Sequence, residues 1–283
     1  MTHLAPIAVF SSPRPDFTDP PVVEVVLSVQ FEPLSELDVP QLGALWNQYK
    51  EEFPKTEDKP PLASIVESFE PPKLQPVNVE FISEPLPPRC WFMNTGGTGL
   101  IQVQRDRFVF NWRESGDQEP YPRYEIVRDN FKKHFDTFEK YITENNIGGI
   151  IPNQCEVTYV NHILPTKGWK RWGQTKNIFS LWSGRHSDKF LGEPEDVRFQ
   201  VRYWMIGDNG EPLGRLHVVE EPRIKLEDGS PLIRLTLTAR GAPTKKDFGG
   251  VMAFFDIGRE FIVRGFASIT TAQMHRIWGR TDA

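Results

Sequence analysis

Apolar and polar residues alternate along Val22–Phe31. Val23, Val25, Leu27, Val29 and Phe31 fall on one side and are all apolar. Val22, Glu24, Val26, Ser28 and Gln30 fall on the other and are mostly polar. A period of two over ten residues predicts a strand with one face on a core and the other toward water or a groove. Pro20 and Pro21 forbid a helix at its start, and Pro33 ends it. The pattern then changes to a helical one. Leu42, Leu45, Trp46, Tyr49 and Phe53 recur at three- and four-residue steps, with Asp38 as N-cap, Gln41 as its capping-box partner and Pro54 as the stop. Residues 54–89 are punctuated by prolines, which excludes a helix. They are expected to be a surface excursion with short strands around Leu62–Phe69 and Val77–Ile82, or a mobile arm.

Three strands follow as a meander, Trp91–Asn94, Leu100–Gln104 and Arg107–Trp112. A long helix spans about Tyr124–Asn145 on the stripe Tyr124, Val127, Phe131, Phe135, Phe138 and Ile142. Gly148 and Gly149 close it. The order then recurs. Gln154–Leu164 is a strand and 165–194 a mixed segment. Val197–Ile206, Leu213–Glu221 and Leu232–Ala239 are strands, Gly249–Phe266 is a helix, and Thr270 caps a last helix ending near Trp278. The predicted class is α+β with a mostly antiparallel sheet, a tandem pseudo-repeat of a β-α-β-β-β-α unit. Residues 1–18 form an extended arm, 19–150 the first half and 151–283 the second, packed as one compact unit.

Composition supports a substantial core, with 39% hydrophobic and 12% aromatic residues. No apolar run approaches the roughly 18 residues that span a bilayer, and the N-terminus lacks the pattern of a signal peptide. A cytoplasmic location without membrane attachment is expected, with Cys90 and Cys155 as free thiols and a single disulfide between them as the alternative. Charge is uneven. Residues 1–150 carry 14 Lys and Arg against 23 Asp and Glu; residues 151–283 carry 19 against 15. This split suits a protein partner at least as well as nucleic acid.

Four stretches carry a family resemblance: PPVVEVVLSVQFEPL from Pro20, RDRFVFNW from Arg105, VTYVNHILP from Val157 and REFIVRGFASITT from Arg259. In order and approximate spacing they resemble a sporadically distributed family of bacterial proteins of uncharacterised function. Thr158 departs from the family pattern, which has a basic residue before the tyrosine. The resemblance implies a bacterial cytosolic protein and carries over no catalytic residue. It also implies an accessory role of the kind found near defence or toxin–antitoxin loci.

Two stretches are candidate binding surfaces. Lys167–Lys189 holds six Lys and Arg, three tryptophans and His186. Cations neutralise phosphates and indoles stack on unpaired bases, so Lys167, Trp169, Lys170, Arg171, Trp172 and Arg185 are candidate contacts for single-stranded nucleic acid or an acidic protein. The bland alternative is a loop whose indoles pack on the sheet while its charges stay solvated. The second candidate is the strand face bearing Arg198, Gln200, Arg202 and Trp204, an anion- or protein-binding surface unless neighbouring carboxylates such as Glu220 pair with the arginines. The histidines and cysteines lack metal-ligand spacing, so neither a metal nor another cofactor is expected. No nucleophile elbow or phosphate-binding loop stands out. The reading is a non-catalytic partner-binding protein, antitoxin-like or defence-associated. Single-stranded nucleic-acid binding and a small-ligand or enzymatic role are the alternatives, and the sequence leaves oligomeric state open.

Overall fold

The computed structural model describes residues 12–69, 87–116, 120–165, 168–184, 190–226 and 228–282. In chain order the elements are β1 (Pro15–Phe17), β2 (Val22–Phe31), α1 (Val39–Trp46), β3 (Lys55–Lys59), β4 (Arg89–Met93), β5 (Gly99–Gln104), β6 (Arg107–Arg113) and α2 (Tyr124–Glu144). Then come β7 (Pro152–Ile163), a short 3-10 helix (Trp172–Asn177), β8 (Phe199–Ile206), β9 (Pro212–Ile224), β10 (Pro231–Gly241), α3 (Phe248–Ile269), α4 (Ala272–Ile277) and β11 (Arg280–Asp282). The fold is α+β. Nine strands form one sheet in the order β3-β4-β5-β6-β2-β7-β10-β9-β8, and β1 pairs with β11. Beyond β2 lie β6, β5, β4 and β3, and beyond β7 lie β10, β9 and β8. In each run the first strand in sequence lies beside the last, but the first run has the extra strand β3, and only a 3-10 helix stands between β7 and β8.

The chain forms two compact units, each built from separated segments. One takes residues 26–156 and 241–254; the other takes 1–25, 157–240 and 255–283. In the first, α2 lays its apolar stripe on the sheet. Phe108 of β6 meets Phe131, Phe135 and Phe138 of α2 at ring-centroid distances of 5.7, 5.5 and 5.2 Å, and Phe31 of β2 meets Phe138 at 5.9 Å. His134 of α2 is buried against Phe53, with ring centroids 5.0 Å apart. That burial holds its imidazole down at about 4, although Glu52 lies 3.6 Å away. In the second unit α3 approaches the sheet closely because it carries glycine where it touches. A Cβ on Gly265 would lie 2.7 Å from Leu216 Cδ2, and one on Gly258 would lie 3.0 Å from Val157 Cγ2. The N-terminal segment is pinned there by Phe17, edge-on to Phe266, His275 and Trp278.

Several local expectations change. Asp38 does cap α1, accepting from Gln41 N at 3.2 Å, but the helix stops at Trp46 and Tyr49 and Phe53 reach the core from turns. A strand forms at Lys55–Lys59, ahead of the prolines. Residues 62–69 form none, and 77–82 lie outside the described residues. Thr271 rather than Thr270 caps the last helix. The Thr270 hydroxyl instead donates to Phe266 O at 2.6 Å and bonds His275 Nε2 at 2.8 Å.

Phe108 is fully buried and touches three aromatic rings. Phe108→Ala is expected to destabilise the fold by about 3–5 kcal/mol, because the cavity adds to the lost transfer energy. Chemical denaturation followed by tryptophan fluorescence measures it, and a loss below about 1 kcal/mol would contradict this packing.

Candidate functional site

The Trp-rich segment turns most of its indole surface inward. Trp169 is 1% exposed. Trp172 is half-buried, and its Nε1 donates to Leu232 O at 3.1 Å. The turn between them is fixed by Gln174, whose Oε1 accepts from Lys170 N at 2.8 Å, and by Asn177 Nδ2 donating to Gly168 O at 3.0 Å. The segment continues into Phe179, which bridges to Thr270 and meets Phe199 edge-on. Lys170 and Arg171 remain at the surface, with Arg171 3.2 Å from Glu193. Lys167 and Arg185 lie outside the described residues. The paired indoles proposed as a stacking platform are therefore wall and anchor. A base could reach the face of Trp169 only after local opening.

The second candidate surface is assembled on β8. Register sets Gln200 opposite Val219, Arg202 opposite His217 and Trp204 opposite Arg215. The Arg215 guanidinium lies 4.6 Å from the Trp204 ring centroid. Across β9, Arg240 of β10 stands opposite Arg215 and Thr238 opposite His217. The face is thus basic and aromatic through three strands. Arg198 sits just before β8 as an exposed side chain 3.8 Å from Asp196. Glu220 is not the carboxylate that balances these arginines. It stands opposite Phe199 and Leu235, and alternation along β9 sends it to the other face with Leu216 and Val218.

Glu220 is 1% exposed, and no side chain hydrogen-bonds its carboxylate oxygens. Burial pushes its carboxyl up to about 8. Asp196 adds to the shift, and the Phe199 N–H and Arg198 oppose it. The sequence offered Glu220 as a cross-strand partner of the β8 arginines, and its neighbour Glu221 is the one left half-exposed. Only the inward alternation of β9 separates the two.

Beside β8 lies a cavity of about 670 Å³ bordered by Leu181, Tyr203, Trp204, Leu216, Phe261 and Arg264. Trp204 and Tyr203 are 40% and 37% exposed. Arg264 is held by Glu260 at 2.9 Å and donates to the Ser12 carbonyl at 2.8 Å. Arg280 also borders the cavity and bonds His275 Nδ1 at 3.1 Å. Tyr203, Phe261 and Arg264 were not picked out from sequence, since Phe261 and Arg264 belong to what reads as an ordinary amphipathic helix. Among the described residues no group of three or more His, Cys, Asp or Glu is placed to hold a metal ion, and no helix is long and apolar enough to cross a membrane. No family model, curated protein or solved structure matches the chain.

Between about pH 4.5 and 8 the folded chain keeps the Glu220 proton that the unfolded chain releases, so this residue makes stability fall as pH rises through that window. His134 acts in the opposite sense, losing stability as pH falls from 6.5 towards about 4. The difference in melting temperature between Glu220→Gln and the parent isolates the first effect. It is expected to be near zero at the acid end, grow in favour of the variant up to pH 8 and level off above. A flat difference would show Glu220 to be ionised in the fold.

Proposed function

We propose that the protein is a partner-binding module that accepts an extended segment of another protein along the edge of β8. One observation carries this reading: the contrast between the two edges of the sheet. β3 ends one side with Lys55, Glu57, Asp58 and Lys59, the charged dressing that keeps an edge from pairing. β8 ends the other and exposes Tyr203 and Trp204 beside a cavity. Main-chain pairing along an open edge supplies affinity, and pockets beside it read alternate side chains. The cavity suits an apolar side chain of the partner, and Arg198 and Arg202 suit acidic neighbours in the same segment. An antitoxin-like or defence-associated partner, as the family resemblance implies, fits this chemistry. The basic face with exposed Trp204 is also where single-stranded nucleic acid would have its best contact, rather than the segment around Trp169. The net charge of −5 weighs against that option.

The cavity favours a second reading, a binder of small amphipathic anions held by aromatic walls and the arginines at its border. Strand addition and ligand filling separate cleanly in hydrogen exchange, because only the former protects alternate main-chain amides of β8.

Selection of peptides from a displayed library should yield extended sequences with an apolar anchor and acidic flanks. Their binding should protect alternate β8 amides, and Trp204→Ala should weaken it about tenfold or more. Arg202→Glu should weaken it and reverse its salt dependence. Selected peptides that leave β8 amides unprotected, or that tolerate Trp204→Ala, would sink the strand-addition reading.

A further inference from the structure

The polar side of β2, which sequence assigned to water or a groove, is covered. Ser28 and Gln30 are buried, as are Gln104 of β5 and Gln154 of β7. The cover is the chain's own segment 62–67. Leu62 N donates to Gln104 Oε1 at 2.9 Å, and Gln104 Nε2 donates back to Leu62 O at 3.0 Å. Arg107 of β6 donates to Ala63 O at 3.0 Å. Ile65 N donates to Gln30 Oε1 at 3.0 Å, and Glu67 N to Gln154 Oε1 at 2.9 Å. The contacts step across β5, β6, β2 and β7 in the order of the sheet. Those four strands span about 14 Å, and five residue steps reach at most about 17 Å. The segment therefore runs nearly fully extended across the strands.

Every one of these bonds joins a sheet side chain to the segment's main chain. The segment's own apolar side chains are left outside, with Leu62, Ile65, Val66 and Phe69 all exposed and Val66 at 63%. The segment also fits its seat imperfectly. Gln154 Nε2 on the same face is a buried donor without an acceptor, and Gln102 Oε1 is a buried acceptor without a donor. The receptor side is braced by bonds of its own. Gln30 is held from behind by Asn153 at 3.1 Å and from the side by Arg107 at 2.7 Å, and Asn153 in turn donates to Glu32 at 3.2 Å. A row of pre-oriented amides that reads main chain, filled by a segment that buries little of itself, has the features of a peptide site occupied in cis.

We propose that this amide face is a receptor for extended main chain, with 62–67 as its tethered ligand, and that an extended segment of a partner protein displaces it. Recognition is through backbone N–H and C=O groups, so the partner segment must be extended and free of proline at the positions equivalent to 62, 65 and 67. Tethering gives the resident segment a high effective concentration, so a competitor that also satisfies Gln154 and Gln102 has the advantage it needs. This face is separate from the β8 edge, and Trp204→Ala serves as the control that distinguishes the two.

The test uses the full chain carrying Ile65→Pro and Glu67→Pro, which remove two of the donors while leaving the sheet intact. The probe is a labelled synthetic peptide with the sequence of residues 59–69. The double variant should exchange the Leu62 amide about tenfold faster than the parent, and it should bind the peptide about tenfold tighter. Adding Gln30→Ala should abolish that binding, and Trp204→Ala should not affect it. Unchanged exchange would show that these bonds do not hold the segment, and would overturn the proposal. So would peptide affinity equal to that of the parent, or binding indifferent to Gln30→Ala. Concentration-dependent dimers of the parent that exchange this segment between copies would replace the partner with a second chain, and would also overturn it.

Discussion

A sheet that buries both faces must satisfy whatever polar groups its second face carries. Here that constraint organises one whole unit. Period two places the apolar residues of β2 under Phe138 and its neighbours on α2. The same geometry sends Gln30, Gln104 and Gln154 to the opposite face. Burying amides without partners is costly, and the residues that supply the partners are main-chain atoms of 62–67. The prolines that bar this region from helix and strand leave its N–H and C=O groups available for that role.

The other unit resolves its faces differently. Its inward face takes α3 at a distance set by Gly258 and Gly265, and its outward face gathers Arg202, Trp204, Arg215 and His217 in facing registers. Between these sits Glu220, an acid on the apolar side, kept neutral by burial. A buried carboxyl that no side chain hydrogen-bonds is a stability cost, and it lies one strand from the edge where binding is proposed. The contrast between a charged β3 and an aromatic β8 follows from their positions. Both are terminal strands, and only one is dressed against pairing.

Much of the architecture was legible because long periodic segments carry their own signal. The stripe of α2 and the alternation of β2 needed no tertiary information. Short signals fared less well. Thr270 and Thr271 are both competent caps, and the choice fell to Thr271 because a buried imidazole claims the Thr270 hydroxyl. Tyr49 and Phe53 continue a helical stripe on paper. The helix ends before them because turns bring the same rings to the same core. The Trp-rich segment left two readings open in sequence, a stacking surface and a loop with its indoles packed inward. Indoles next to lysines read as a platform, whereas the apolar area of Trp169 is worth more inside.

The sequence by itself determined the faces. Alternation decides which side of a strand is apolar, and prolines decide where helices cannot run, both from local chemistry. Only the tertiary structure decided the partners. Nothing local tells Gln30 that its acceptor will meet the backbone of Ile65, or tells Glu220 that burial will outweigh the nearby Arg198. Those outcomes depend on which strands become neighbours and which loop crosses them, and that is fixed by the global burial of apolar surface rather than by any stretch of the chain.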